Sequence, residues 1–146
     1  MPTFQTRVFT GARNVPQPDA GIIPAVAVDI DFPTVALVAT DIILVARLPI
    51  GVALMDYEFH FPDIDTGAAA FAFSFGIMNA GLTALATTFQ AGITAGQSNA
   101  IVRNLNSDAA QFATTSERVL GIVVTTAAAT YAGATKVGQV ILRLRG

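Results

Sequence analysis

The sequence predicts an all-β protein, a jelly-roll-like antiparallel β sandwich with at most one short helix. The clearest observation is residues 52–61, where apolar side chains alternate with polar ones. They place Ala53, Met55, Tyr57, Phe59 and Phe61 on one face of a strand and Asp56, Glu58 and His60 on the other. Period-two alternation of this kind is typical of a strand with one buried and one solvated face.

Two further observations point the same way. In residues 71–77, Phe71, Phe73, Phe75 and Ile77 alternate with small residues, which predicts a second strand. Eight or so short apolar runs follow one another at intervals of about ten residues, separated by turn signals, and this spacing is typical of β sandwiches. A jelly roll folds two such sheets over one core at this length.

The remaining elements follow in chain order. Residues 41–48 form an apolar run that ends at Pro49-Ile50-Gly51, and the patterns of residues 100–103, 118–126 and 136–145 each predict a strand. Residues 82–91 are the exception, since Leu82, Leu85, Ala86 and Phe89 have helical spacing. We therefore expect the one short helix there, ending near Gly92.

Residues 1–35 differ from the rest of the chain because five of the seven prolines fall there. Proline fixes φ and removes a backbone donor, so such a stretch favours extended chain over sheet interior. A loose tail is the simplest interpretation, but the apolar side chains of this stretch are unusual for a solvated tail. We predict an extended N-terminal arm of residues 1–35 preceding a sandwich domain of residues 36–146, with partner-binding anchors at Phe4, Val8, Phe9, Ile22 and Ile23.

Composition narrows the function classes. Hydrophobic residues make up 53% of the chain and charged residues 12%, about half the charged share usual for a soluble domain. This favours an obligate oligomer or a large assembly, in which neighbours cover apolar surface. Scattered basic residues and a net charge of −2 argue against nucleic acid, and no apolar run has membrane-spanning length. Without cysteine there are no disulfides or thiolate sites. The N-terminus lacks a signal peptide, so we expect assembly in the cytoplasm.

Asp65-Thr66-Gly67 is the first motif with an enzymatic interpretation. It matches an aspartic-protease triplet, in which two carboxylates share a proton and a homodimer supplies the second. However, Pro62 and Asp63 interrupt the apolar run that should precede the triplet. Asp63 and Asp65 also suggest the start of a calcium loop, which lacks its downstream ligands. The favoured interpretation is a turn in which Asp and Thr side chains bind backbone amides and Gly67 takes positive φ.

His60 is the only histidine. It shares a strand face with Asp56 and Glu58, which could form a weak metal or acid–base site, or a pH-sensitive contact. The simpler interpretation is a solvated strand face. No nucleophile elbow accompanies His60, so we predict no catalytic, cofactor or metal site.

Several motifs resemble structural proteins of tailed bacteriophages. They are Leu48-Pro49-Ile50-Gly51, Asp63-Ile64-Asp65-Thr66-Gly67, Ala91-Gly92-Ile93-Thr94-Ala95-Gly96-Gln97, and the run 121–130 before the closing strand. The likeness covers roughly residues 36–146 and is nearest to the capsid decoration, or cement, proteins.

That resemblance implies a jelly-roll protein that binds the major capsid protein on the outside of the head. It implies a homotrimer at three-fold positions, stabilising the shell against internal DNA pressure, and an arm that reaches neighbouring subunits. Phage tail or fibre domains have similar sequence features, so a tail or fibre protein is an alternative. Two more hypotheses stay open: a receptor- or sugar-binding β module and, as the enzymatic one, a small homodimeric aspartic protease.

Overall fold

The computed structural model describes residues 2–11, 25–103 and 115–145. The strands of these residues, in chain order, are β1 (Thr3–Gln5), β2 (Ala25–Asp31), β3 (Ile42–Leu48), β4 (Ala53–Phe61), β5 (Ala72–Met78), β6 (Leu85–Ile93), β7 (Ala100–Arg103), β8 (Arg118–Thr126) and β9 (Val137–Arg145).

The strands form two sheets. One has five strands in the order β1-β3-β8-β5-β6, and the other has four in the order β2-β9-β4-β7. All pairings of these strands are antiparallel except that of β1 with β3. The all-β, jelly-roll-like sandwich predicted from the sequence is therefore confirmed.

The two sheets meet through aromatic side chains from the two alternating runs. Tyr57 and Phe59 of β4 lie against Phe75 of β5, with ring centroids 4.7 and 5.2 Å apart. Phe59 and Phe61 contact Phe73 at 5.1 and 5.4 Å. Offset and edge-on aromatic pairs at these distances stabilise a core beyond the area they bury. The two alternating segments from which the fold was predicted are thus β4 and β5, and their aromatic side chains join the two sheets in the core.

One expected core residue is displaced by a β-bulge. The register of β4 against β9 shifts between Leu54 and Asp56, and the bulge adds a residue to one strand. As a result Leu54 is fully buried and Met55 is only half-buried. The predicted alternation therefore holds from Tyr57 to Phe61 but was wrong at Met55.

The helix expected at residues 82–91 was also wrong, because β6 occupies Leu85–Ile93. The chain turns at Asn79, whose side-chain oxygen accepts the amide of Thr83 at 2.9 Å, while Leu82 takes a positive φ of 55°. This turn sends β6 back along β5 as a hairpin. Among the described residues there is no helix, so none could span a membrane.

Part of the predicted arm belongs to the sandwich. Residues 25–31 lie between two prolines and alternate, with Val26, Val28 and Ile30 facing the core. They pair with β9 along their whole length. The predicted arm of residues 1–35 thus includes one strand of the four-stranded sheet.

Replacing Phe59 with alanine should destabilise the protein strongly, because this ring is fully buried and contacts four other aromatic rings. Phenylalanine-to-alanine changes in cores cost about 3–5 kcal/mol. Urea unfolding measures the loss. Ile50→Ala is the matched control, since Ile50 is 70% exposed and its removal should shift the free energy of unfolding by no more than about 0.5 kcal/mol. Equal effects of the two changes would contradict this core.

Candidate assembly site

Four connections gather at one end of the sandwich, where β2 and β4 end and where β3, β5 and β9 begin. We call this region the loop end. Its segments are residues 32–41, 62–71, 94–99 and 127–136. Backbone hydrogen bonds join them pairwise: the amide of Ile64 donates to Gly96 at 2.8 Å, and that of Ala132 donates to Ile64 at 2.8 Å. The loop end is thus a connected structure.

Asp65 is the centre of the loop end. Its side chain is buried, and the residue is only 2% exposed. One carboxylate oxygen accepts the backbone amides of Ala70 and Phe71 at 2.8 and 2.9 Å, and the other accepts that of Thr130 at 3.0 Å. A single carboxylate therefore ties the 62–71 segment to the 127–136 segment.

The electrostatics of Asp65 agree with this geometry. Burial by itself raises the pKa of a carboxyl group, since it disfavours the charged form. Here the amides of Ala70, Thr130, Phe71 and Ala129 outweigh burial and hold the pKa of Asp65 well below its usual range. Asp65 is therefore charged and fully engaged by backbone donors.

This arrangement matches the turn interpretation of Asp65-Thr66-Gly67 in one respect and corrects it in another. The Asp65 carboxylate does bind backbone amides, as expected of a turn. Gly67, however, is not among the glycines with positive φ. What requires glycine there is space, since a Cβ at Gly67 would lie 2.6 Å from the Thr130 hydroxyl oxygen.

Two side chains extend the same network. The phenol of Tyr131 donates to the Pro33 carbonyl at 2.6 Å, and burial raises the pKa of Tyr131 to about 12, which keeps it a donor. The Lys136 ammonium donates to the carbonyl of Asp63. The 32–41 segment is thereby fixed to the 127–136 segment, and the loop end is preorganised.

Exposed aliphatic side chains project from this network. Val35 is 72% exposed and Val38 51%, both on the 32–41 segment. Ile101 of β7 and Val137 of β9 are 59% and 52% exposed, and they line a shallow groove with Pro62. They lie just beyond the loop-end segments, on the outer face of the four-stranded sheet, where they pair with His60 and Asp31. Exposed apolar groups held on a rigid scaffold are typical of interaction surfaces. Ile50, 70% exposed, lies at the opposite end, in the β3–β4 turn.

The outer face of the four-stranded sheet is instead charged. Arg143 bonds Asp56 and Glu58, each at 2.8 Å, and His60 lies 3.0 Å from the second oxygen of Glu58. The hydrogen bonds from His60 and then Arg143 hold the pKa of Glu58 below its usual range. The predicted grouping of Asp56, Glu58 and His60 therefore exists, but as an ion-pair network in which Glu58 is buried.

No group of three or more potential metal-ligating side chains occurs in residues 2–11, 25–103 and 115–145. Within that part of the chain, both carboxylates of the suspected calcium loop serve backbone groups: Asp63 accepts the amide of Asp65 at 3.1 Å.

Three of the five predicted arm anchors contact the body of their own chain. Phe4 packs on the main core from β1, and Val8 is buried in it. Phe9 is buried against Ile42 and Leu44 on the outer side of the five-stranded sheet, with the Arg47 guanidinium 4.5 Å from its ring centre. Ile22 and Ile23 lie outside the described residues.

The four exposed aliphatic residues in and beside the loop end were not predicted from the sequence. Val35 is the last residue of the predicted arm and Val38 lies near the start of the predicted sandwich domain, and the exposure of both depends on the tertiary fold.

Comparison with solved structures shows which class of protein carries this fold. A chain described as "Capsid of Ralstonia phage GP4" is 31% identical, with a TM-score of 0.84 over 97% of this chain and 96% of that one. A chain of the "Cyanophage Pam1 capsid asymmetric unit" is 19% identical, with a TM-score of 0.61 over 92% of each chain, and shows the shared fold. No protein-family model matches the chain, and neither does any curated protein.

The fold and these comparisons define a phage capsid-type structural protein. At 31% identity over nearly the full length of both chains, this protein belongs to the same family as that chain of the GP4 capsid.

Replacing Asp65 with asparagine should destabilise the protein by roughly 2–4 kcal/mol at pH 7, because charge-assisted hydrogen bonds are lost and one amide is left facing an NH₂ donor. The effect should depend on pH. Because the folded-state pKa of Asp65 is lowered, its contribution is present above the unfolded pKa of about 3.9 and is lost as pH falls from there toward the folded value.

Urea unfolding at several pH values checks this expectation. The gap between wild type and Asp65→Asn should narrow below pH of about 4. Asp31→Asn serves as the control, since its side chain is 59% exposed and its ion pair with Arg7 is long, at 3.6 Å. A gap that stays constant from pH 7 to acid would contradict the role given to the Asp65 charge.

Proposed function

We propose that this protein is a capsid decoration, or cement, protein that binds the outside of a phage head at three-fold positions. Its role is to stabilise the shell against internal DNA pressure. The observation that carries the proposal is the end-to-end likeness to a chain of the GP4 capsid. Because the match covers 97% of one chain and 96% of the other, that capsid chain is also a small, single sandwich. Such a unit is suited to sit across joints between larger subunits.

The loop end is our candidate for the surface that contacts the major capsid protein. Its side chains Val35 and Val38 are exposed, and the 32–41 segment that holds them is fixed by Tyr131 to the network of Asp65 and Lys136. A preorganised surface loses little conformational entropy on binding. Modest contacts repeated over many copies can then hold a shell together, since linked contacts multiply in strength.

The arm is proposed to tie neighbouring subunits together. Because Val8 and Phe9 already have partners within the chain, Ile22 and Ile23 become the anchors that the proposal depends on most. We further propose that the protein is a homotrimer on the virion exterior and that it is assembled in the host cytoplasm. We propose no catalytic activity and no cofactor, which agrees with the use of Asp65 as a structural carboxylate.

Binding to heads that lack the protein tests the function. Purified protein is mixed with such heads and sedimented, and we expect saturable binding and heads that resist heat or osmotic shock better. Two results would overturn the proposal: heads that cannot form at all without the protein, which would make it a shell-building subunit, or binding to tails and fibres but not to heads.

Introducing charge at the loop end should weaken binding to heads. In Val35→Asp/Val38→Asp, two exposed side chains become carboxylates that a contact would have to desolvate, which should reduce affinity at least about tenfold. Ile50→Asp is the matched control, because Ile50 is similarly exposed at the opposite end, and its affinity should not change. Cosedimentation across a concentration series measures both. A loss of binding confined to Ile50→Asp would place the contact at the other end.

The arm has a separate test. Ile22→Asp/Ile23→Asp should reduce head binding several-fold, since apolar anchors become charged, and urea unfolding of the same variant separates this loss from a loss of stability. Ala20→Asp is a control for added charge in the same stretch. Wild-type binding by the Ile22/Ile23 variant would remove the arm from the proposal while leaving the loop end in it.

A further inference from the structure

Charge is distributed very unevenly along this chain. Residues 66–102 contain none of its 8 Lys and Arg or 10 Asp and Glu residues, and His60 lies outside them. This run supplies β5, β6 and the connections on either side of them. The part of the five-stranded sheet that β5 and β6 form therefore has no ionisable side chains, whereas Arg47 and Arg118 lie on β3 and β8 of the same sheet.

The result is an uncharged groove on the outer side of that sheet, which we call the neutral face. It is lined by Thr40, Ser74, Leu85, Thr88, Val123 and Thr125, with Thr83 and Ala84 at its margin. Hydroxyl groups alternate there with methyl groups, and Thr40, Thr88 and Thr125 are exposed. Beside the groove, Ile42, Leu44 and Met78 form a small apolar cluster under Phe9. The groove itself is thus polar enough to hydrate but carries no charge, and the nearby charged groups on this side of the sheet are Arg47, over the Phe9 ring, and its ion-pair partner Glu117.

The surface on the opposite side of the molecule is charged. The outer face of the four-stranded sheet holds the network of Asp56, Glu58, His60, Arg103 and Arg143. Charged side chains are depleted at the centres of protein interfaces and abundant on free surface. The part of the four-stranded sheet around Glu58 and Arg143 therefore has the character of a solvent face, and the neutral face has that of a contact.

We propose that the neutral face is where copies of this chain contact one another. When identical surfaces meet about a symmetry axis, each group lies near its own equivalents, so any net charge repels itself. A face of threonine and serine hydroxyls avoids this, because each hydroxyl both donates and accepts a hydrogen bond. A surface evolved for a charged partner would instead carry the opposite charge. Neutrality combined with hydroxyl lining selects a second copy as the occupant.

This proposal deepens the proposed function, on which it rests only for the existence of several copies. In the combined proposal, the loop end binds the shell and the neutral face binds sister copies of the chain. Its test measures mass in the absence of heads, so its failure leaves the head-binding result untouched.

The mass of the purified protein in solution is the test, measured by light scattering during size exclusion. We expect wild type at a multiple of 15.1 kDa and Thr88→Lys/Thr125→Lys at the monomer mass. Raising the salt to about 1 M, where the Debye length is about 3 Å, should restore assembly of the variant, which would not happen if it had merely unfolded. Gln139→Lys, the same substitution type on the opposite sheet, should keep the wild-type mass. An unaltered mass for the double variant, or a monomeric wild type, would overturn the proposal.

A second measurement does not depend on disrupting the assembly. Since the chain has no cysteine, Thr88→Cys introduces a unique thiol on the neutral face and Gln139→Cys one on the charged face. A short bis-maleimide should join copies of the Thr88→Cys protein and leave those of Gln139→Cys separate. Cross-linking of Gln139→Cys alone would show that the copies meet through the other sheet.

Discussion

The geometry of the loop end depends on one buried carboxylate. Asp65 accepts three backbone amides from two segments, and its partner Thr130 is 65 residues away along the chain. A buried charge is stable only when it is fully hydrogen-bonded, so the position of Asp65 and the positions of the segments around it determine each other. Tyr131 and Lys136 extend that order to the 32–41 segment and to Asp63. Because these segments carry the exposed valines, the same interaction that stabilises the fold shapes the surface proposed to bind the shell.

Around that fixed end, the molecule divides its outer surfaces by charge. The four-stranded sheet presents an ion-pair network, the five-stranded sheet presents hydroxyl and methyl groups, and the loop end presents aliphatic side chains. Such a division agrees with a composition of only 12% charged residues, since most of them are concentrated outside β5 and β6. It also agrees with the proposed arrangement, in which each copy contacts the shell, sister copies and solvent.

Much of the fold could be predicted from the sequence because strand periodicity is a local property. The alternation of Tyr57, Phe59 and Phe61, and that of Phe73 and Phe75, identified the two strands that meet in the core. The strands at Arg118–Thr126 and Ala100–Arg103 were also predicted correctly. Errors arose where tertiary pairing overrides local pattern. Leu82, Leu85 and Phe89 have helical spacing, yet the Asn79 turn and pairing with β5 make β6 a strand. The β-bulge in β4 places Leu54 in the core instead of Met55, and it depends on pairing with β9. The exposure of Val35 and Val38 likewise depends on residues distant in sequence. No local pattern could therefore predict either feature.

The central claim is that this capsid-type protein sits on the outside of the head with its loop end toward the shell. Reconstruction of intact heads by electron cryomicroscopy tests it most directly. We expect density for the sandwich on the outer surface, with Val35 and Val38 facing the shell and the Glu58–Arg143 network facing solvent. Density that places the loop end outward, or a head whose outer surface lacks the sandwich altogether, would contradict it.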